Sequence, residues 1–440
     1  MKSLPRLCFF IIAFLYNYSA YSQQTFSPSQ LIADIDSMNK KILEIHPNSF
    51  FKIDSTEYFK EIDKAKQAIN DSMTSDEFYR LLAPITIKIG DGHTCLSQDQ
   101  SQITITKVPF PFDIYLKDRH MFVLRNNTWK SVISGSEITK INGIPAEEII
   151  STLLKYIPGE SEEFTLSVIE NYFPILFRFV YGEFTEFTVE LKLYETRTYI
   201  IKRARQNIPE PMKSSRLYFN NEVAIIDLRN FSSPDFTIFI DTVFTRIKNK
   251  NPRALIIDLR YNHEGQASLA DSLISYLTAN EYQSMQSSLM KISFATSDYV
   301  KELQKMNLGK KKENYFELNG TVVKPTPRKN SFKGPLYILT SPMTYSTAAF
   351  FANVVKCYNI GTVIGQETGQ PMICYGDIFK YSLPNTKLPC HISKQKFVFC
   401  CAENKNQGVI PDYKINASIS KMLGCNYEMV FTLDLIKNNK

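Results

Sequence analysis

The fold is decided at PLYILT (335–340), SPMTYS (341–346) and TAAFFANVVK (347–356). PLYILT is a short apolar run that begins at a proline, the pattern of a buried strand. SPMTYS is a tight polar loop. TAAFFANVVK opens with small residues and then turns apolar, the pattern of a helix. Ser346 falls at the loop–helix junction, which puts its hydroxyl at the carboxyl end of a strand, where open α/β sheets keep their ligands. A helix start also has free N–H groups and a partial positive charge, both suited to an oxyanion. The Thr347 backbone N–H is the natural first donor. For the serine taken alone, the competing reading is an ordinary N-cap.

Outward from this stretch, strand and helix alternate. VAIIDL (223–228) and ALIIDLR (254–260) are short buried strands, and GTVIGQE (361–367) follows as another. Phe236, Phe239, Ile240, Val243, Phe244 and Ile247 recur at helical spacing, as do Leu269, Leu273, Ile274 and Leu277. A largely parallel sheet covered by helices is expected over residues 206–440. Residues 101–205 read as β-rich, with ITITKV, FDIYL, MFVLR and FTEFTVELKLY and a tight turn at Asn142-Gly143. The Pro-containing segment 206–215 reads as a linker. Residues 23–100 read as a helical cap. Ser27 caps a helix carrying Leu31, Ile35, Met38, Ile42 and Ile45, and Thr74-Ser75-Asp76-Glu77 forms a capping box.

A serine nucleophile needs a base. Five histidines exist, and two have local chemistry. His93 lies in Gly90-Asp91-Gly92-His93-Thr94, a loop dictated by glycines. His263 lies in Asp258-Leu259-Arg260-Tyr261-Asn262-His263-Glu264-Gly265, past a buried strand at the same sheet edge as Ser346. In that segment Gly265 can turn its N–H toward the edge as a second oxyanion donor. His46, His120 and His391 read as structural or surface groups.

The set GDGHT (90–94), IIDLRYNHEG (256–265), TSPMTYSTAAFF (340–351), VIGQETGQP (363–371) and GVIPD (408–412) resembles the S41 peptidases, the tail-specific, C-terminal-processing and tricorn-core serine proteases. The resemblance implies a ClpP/crotonase-like α/β core behind the helical cap. SGSEITKINGIPAEEI is similar to part of a PDZ-like domain. Of the family's two catalytic layouts, the lysine one is disfavoured, because no lysine follows VIGQETGQP before Lys380. The tricorn-like layout implies Ser346 as nucleophile, His93 as base and Glu403 as acidic partner, with no metal and no cofactor. Two departures stand out. Glu264-Gly265 replaces the usual glycine pair, and Phe350 replaces an acid after the serine. A non-catalytic binding protein for peptides or apolar ligands, as in the interphotoreceptor retinoid-binding repeats, is the alternative, and an aromatic content of 13% would suit its cleft.

Composition bounds the rest. At 440 residues the chain can hold two or three domains, and 22% charged residues is ordinary for a globular protein. A net charge of +7 without a long basic run argues against nucleic acid, and Lys310-Lys311-Lys312 reads as a solvated loop. Residues 1–22 combine Lys2 and Arg6, an apolar run and Ala20-Tyr21-Ser22, the pattern of a cleaved secretory signal. A periplasmic or secreted protein acting on peptides or proteins, without a stable membrane anchor, is expected. An exported chain can form disulfides among its seven later cysteines, but spacing does not give their pairing.

Overall fold

The computed structural model describes residues 24–98, 110–128, 132, 134–202, 215–232, 234–402, 406–416 and 424–438. The leader at 1–22, ITITKV, most of the 206–215 linker and Glu403 lie outside the described residues.

A six-stranded sheet leads into Ser346. Its order is Arg216–Asn220, Val223–Asp227, Ala254–Asp258, Leu336–Thr340, Thr362–Gly365 and Tyr413–Lys414. All neighbours run parallel except the first pair. VAIID, ALIID and LYILT are buried at every position, because helices cover both faces. Ala224, Ile226, Leu255, Ile257 and Ile338 meet the helices Phe236–Lys250, Ala267–Ile274 and Thr347–Cys357 on one side. Ile225, Ile256, Tyr337 and Leu339 meet the helix Tyr427–Asn438 on the other. Residues 347–355 of the helix that follows Ser346 are buried all round. Each large apolar side chain there contributes about 1.5–3 kcal/mol, so the helix is firmly seated.

A second sheet went unread in the sequence. Its order is Lys310–Lys312, Tyr315–Asn319, Met285–Lys291, Pro389–Phe399 and Ile373–Ser382, all antiparallel. The lysine run is therefore an exposed edge strand rather than a loop. Three lysines on an edge discourage pairing with another chain.

Residues 112–201 form an antiparallel six-stranded sheet in the order Phe112–Lys117, His120–Asn126, Glu137–Ile141, Phe187–Lys192 and Thr196–Ile201, with the short strand Ile144–Pro145 paired to Glu137–Ile141 off that path. The turn at Asn142 and Gly143 has φ of 51° and 81°, as a tight hairpin requires. The β-rich reading missed two helices in this region, Ala146–Leu153 and Glu162–Tyr181. Both pack on the sheet through Ile149, Ile150, Phe173 and Phe177.

The cap helices are Pro28–Ile45, Ser55–Gln67 and Ser75–Ile87. Thr74 and Glu77 close the expected capping box. The cap core includes Leu383, Leu388, Cys390 and Ile392 of the long hairpin, so the cap is sealed onto the second sheet. The strand Cys95–Leu96 pairs with Pro389–Phe399, which anchors the loop just before it. A disulfide joins Cys357 to Cys401. Among the described residues no helix is long and apolar enough to cross a membrane.

Candidate active site

Ser346 sits between strand and helix with φ 53° and ψ −126°. A non-glycine residue there is strained by about 1–3 kcal/mol and persists only where its surroundings impose it. Those surroundings are a set of bonds to the neighbouring strand's loop. Ser341 Oγ donates to the Arg260 carbonyl at 2.5 Å and Thr344 Oγ1 to the Leu259 carbonyl at 2.9 Å. Tyr345 N–H donates to the Asn262 carbonyl at 3.0 Å, and Thr347 Oγ1 to the Gly265 carbonyl at 2.8 Å. The result is a sharp strand–turn–helix with Ser346 at its tip, the shape that a nucleophile elbow has.

The same bonds bring Gly265 and Thr347 together. Gly265 has φ +146°, and a Cβ there would lie 2.2 Å from Phe231 Cβ and 2.7 Å from the Phe231 backbone. Only glycine fits. Thr347 is the first residue of its helix, so its N–H has no intrahelical acceptor.

His93 reaches Ser346 across 253 residues, with Nε2 3.2 Å from Oγ. Asp91 shapes its loop. This carboxylate is fully buried and accepts from His93 N–H at 2.9 Å, Thr94 Oγ1 at 2.5 Å and Ser393 Oγ at 2.6 Å. His46 Nε2 lies 3.2 Å from its Oδ2. Burial opposes ionisation of Asp91, but the His46 hydrogen bond and charge, His93 and Ser393 outweigh it and hold the carboxyl well below the usual range. For His93, burial dominates and lowers the pKa, against the opposing pull of Asp91 and the Tyr375 main chain. A neutral imidazole beside the serine hydroxyl is the state a general base needs.

A second acid comes from the middle region. Glu160 precedes the helix Glu162–Tyr181, and its Oε2 accepts from the Tyr345 hydroxyl. The Tyr345 ring stacks on Phe164 at 4.1 Å and lies 5.4 Å from the His93 ring. A Cβ on Gly92 would lie 1.9 Å from the Tyr345 hydroxyl, so this loop glycine is a packing requirement. Burial and the charge of Asp91 push the Glu160 pKa up to about 8. Ser161 Oγ donates to the Gly369 carbonyl at 2.9 Å and pins the same segment to the sheet. One ligating atom each from Asp91, His93 and Glu160 lie within 4.8 Å of one another, a His/carboxylate set able to take a divalent cation. No local spacing in the sequence marks this cluster, because Glu160 lies far along the chain from the other two.

Of the expected site residues, Ser346, His93, Gly265 and Thr347 come together. Glu403 lies outside the described residues. His263 bonds to the Tyr172 hydroxyl at 3.2 Å instead of to the serine. Glu264 is exposed, so water screens its carboxylate. Phe350 lies in the core, edge-on to Phe399 at 5.9 Å. Asp91, Glu160, Tyr345, Ser393 and His46 were not singled out as site residues from sequence. The acid inside GDGHT was the one available hint.

Residues 222–415 match the family model described as Peptidase family S41. No curated protein matches the sequence. Among solved structures, mature CPAF complexed with lactacystin aligns at TM-score 0.67 and 15% identity, covering 94% of this chain and 99% of that one. Mature CPAF itself aligns at TM-score 0.66 and 15% identity, covering 94% and 98%. At that identity the likeness is one of fold.

Proposed function

We propose that this chain, a serine-type peptidase whose residues 222–415 match the model of peptidase family S41, is an exported endopeptidase that works by acyl transfer through Ser346. The contact between Ser346 Oγ and His93 Nε2, 3.2 Å at a strained elbow, carries the reading. Ser346 attacks the scissile carbonyl while His93 Nε2 takes its proton. The N–H groups of Gly265 and Thr347 hold the oxyanion as charge develops. His93 returns the proton to the leaving amine. Water, deprotonated by the same nitrogen, then releases the acyl group. Glu403 is carried over from the family resemblance as the acidic partner, while Asp91 fixes the loop that aims the imidazole.

The family also supplies the architectural reading. Residues 23–100 act as cap, 101–205 as a PDZ-like domain and 206–440 as a ClpP/crotonase-like catalytic domain. The leader and the Cys357–Cys401 bridge support a periplasmic or secreted location. Strain at Ser346 counts against the binding-protein alternative, since an idle serine gains nothing from it.

Ser346→Ala and His93→Ala should each cost roughly 10⁴–10⁶ in kcat, and the double change little more, because members of such a set act as a unit. Near-normal hydrolysis of a quenched-fluorescent peptide by either single variant would overturn the assignment.

A further inference from the structure

We propose that Asp91, His93 and Glu160 form an inhibitory site for a divalent transition-metal cation of the zinc type, bound on the Nδ1 side of the imidazole, away from Ser346. The word inhibitory rests on the peptidase reading above; the binding does not.

The donor set is one imidazole nitrogen and two carboxylates. That mixture suits borderline first-row cations, whereas magnesium and calcium prefer oxygen alone. The geometry is close to closure. Asp91 Oδ1 lies 3.9 Å from His93 Nδ1, and the three ligating atoms fall within 4.8 Å of one another. Tetrahedral zinc with bonds of about 2.0–2.2 Å sets its ligands roughly 3.4 Å apart. The Asp91–His93 pair therefore needs a shift of about half an ångström, and Glu160 somewhat more.

Two of the atoms lack a well-formed partner, although the Tyr375 main chain bears on His93 and the Gly92 main chain on the Glu160 carboxyl. His93 Nδ1 and Glu160 Oε1 are buried and have no hydrogen bond of acceptable geometry among the described residues. Leaving such atoms unsatisfied is unfavourable, and a shared cation would relieve it. The other atoms of the same side chains are engaged. Nε2 faces Ser346, Asp91 Oδ2 holds His46, Thr94 and Ser393, and Glu160 Oε2 holds Tyr345. These contacts orient the ligands as outer-shell partners do in metal sites. The neighbouring Lys52 ammonium is turned to the Glu160 carbonyl oxygen, 3.1 Å away.

The consequence follows from the tautomer. To accept the serine proton, the neutral ring must carry its hydrogen on Nδ1. A cation on Nδ1 moves that hydrogen to Nε2. The ring then donates to Ser346 and can no longer act as its base. Glu160 belongs to the middle region, so the ion would also clamp that region to the catalytic loop.

The test uses the full chain, stripped with EDTA and dialysed, titrated with zinc chloride by calorimetry. One ion per chain should bind with micromolar or tighter affinity. Ser346→Ala should bind equally well, because Oγ is not a ligand. Glu160→Gln, which preserves shape, and His93→Ala should each weaken binding at least tenfold. Zinc should inhibit peptide hydrolysis by the wild type over the same concentration range, and EDTA should reverse it. Absence of zinc binding, or affinity unchanged in both Glu160→Gln and His93→Ala, overturns the site. Glu160-dependent binding in a chain that never cleaves peptides would keep the site and remove the peptidase reading.

Discussion

Replacing Gly265 with alanine isolates the oxyanion step from the nucleophile. The new Cβ would sit 2.2 Å from Phe231 Cβ and 2.7 Å from both Cα and O of Phe231, where ordinary contact needs 3.4–4 Å. None of these atoms is the free end of a flexible side chain. The backbone must therefore move by about an ångström, and φ +146° adds strain of about 1–3 kcal/mol. The Gly265 carbonyl accepts from Thr347 Oγ1, so the shift reaches both proposed donors. Losing one oxyanion donor costs roughly 10²–10³ in kcat. That donor meets full charge only in the transition state, so KM should stay within about threefold. Steady-state kinetics on a quenched-fluorescent peptide, with circular dichroism to confirm folding, would measure this. A folded Gly265→Ala variant with kcat within fivefold of wild type, or with the whole effect in KM, would refute the oxyanion argument.

Two more predictions come from the buried groups and the bridge. In metal-free buffer, kcat/KM should rise with pH and level off, with its inflection below the ordinary histidine value of about 6.5. Burial lowers the His93 pKa, and the active form is neutral, so activity is lost as pH falls through that lowered value. An inflection above about pH 7.5 would point to another base. Cys357 and Cys401 close a loop with a sequence separation of 44, so Cys357→Ser should lower stability by about 2–4 kcal/mol. A urea midpoint equivalent to less than 1 kcal/mol of change would show that the bridge contributes little.

Much of the parallel sheet beside Ser346 was legible because its strands are continuous apolar runs and its helices carry clean apolar spacing. VAIID, ALIID and LYILT are buried throughout, as parallel strands covered on both faces must be. The second sheet was hidden for the opposite reason. Ile373–Ser382 and Pro389–Phe399 mix polar and apolar residues, because the hairpin is half-exposed and its partners lie far away in sequence. Glu162–Tyr181 was obscured by Pro174 and by a kink at Tyr172, both of which weaken a helical pattern. At the site, Ser346 and His93 stood in glycine-rich or small-residue loops that marked them. Glu160, Tyr345 and His46 did not, because their roles arise only when the cap and the middle region fold against the sheet. No local spacing encodes that meeting.

The central claim is that Ser346 is a nucleophile activated by His93. A fluorophosphonate probe followed by peptide mapping tests it most directly, since the probe reacts covalently with an activated serine. The account predicts a single adduct on Ser346 in the wild type, slowed by roughly 10³-fold or more in His93→Ala. A chain that stays unlabelled, an adduct on a different serine, or labelling of Ser346 that proceeds equally fast without His93 would contradict it.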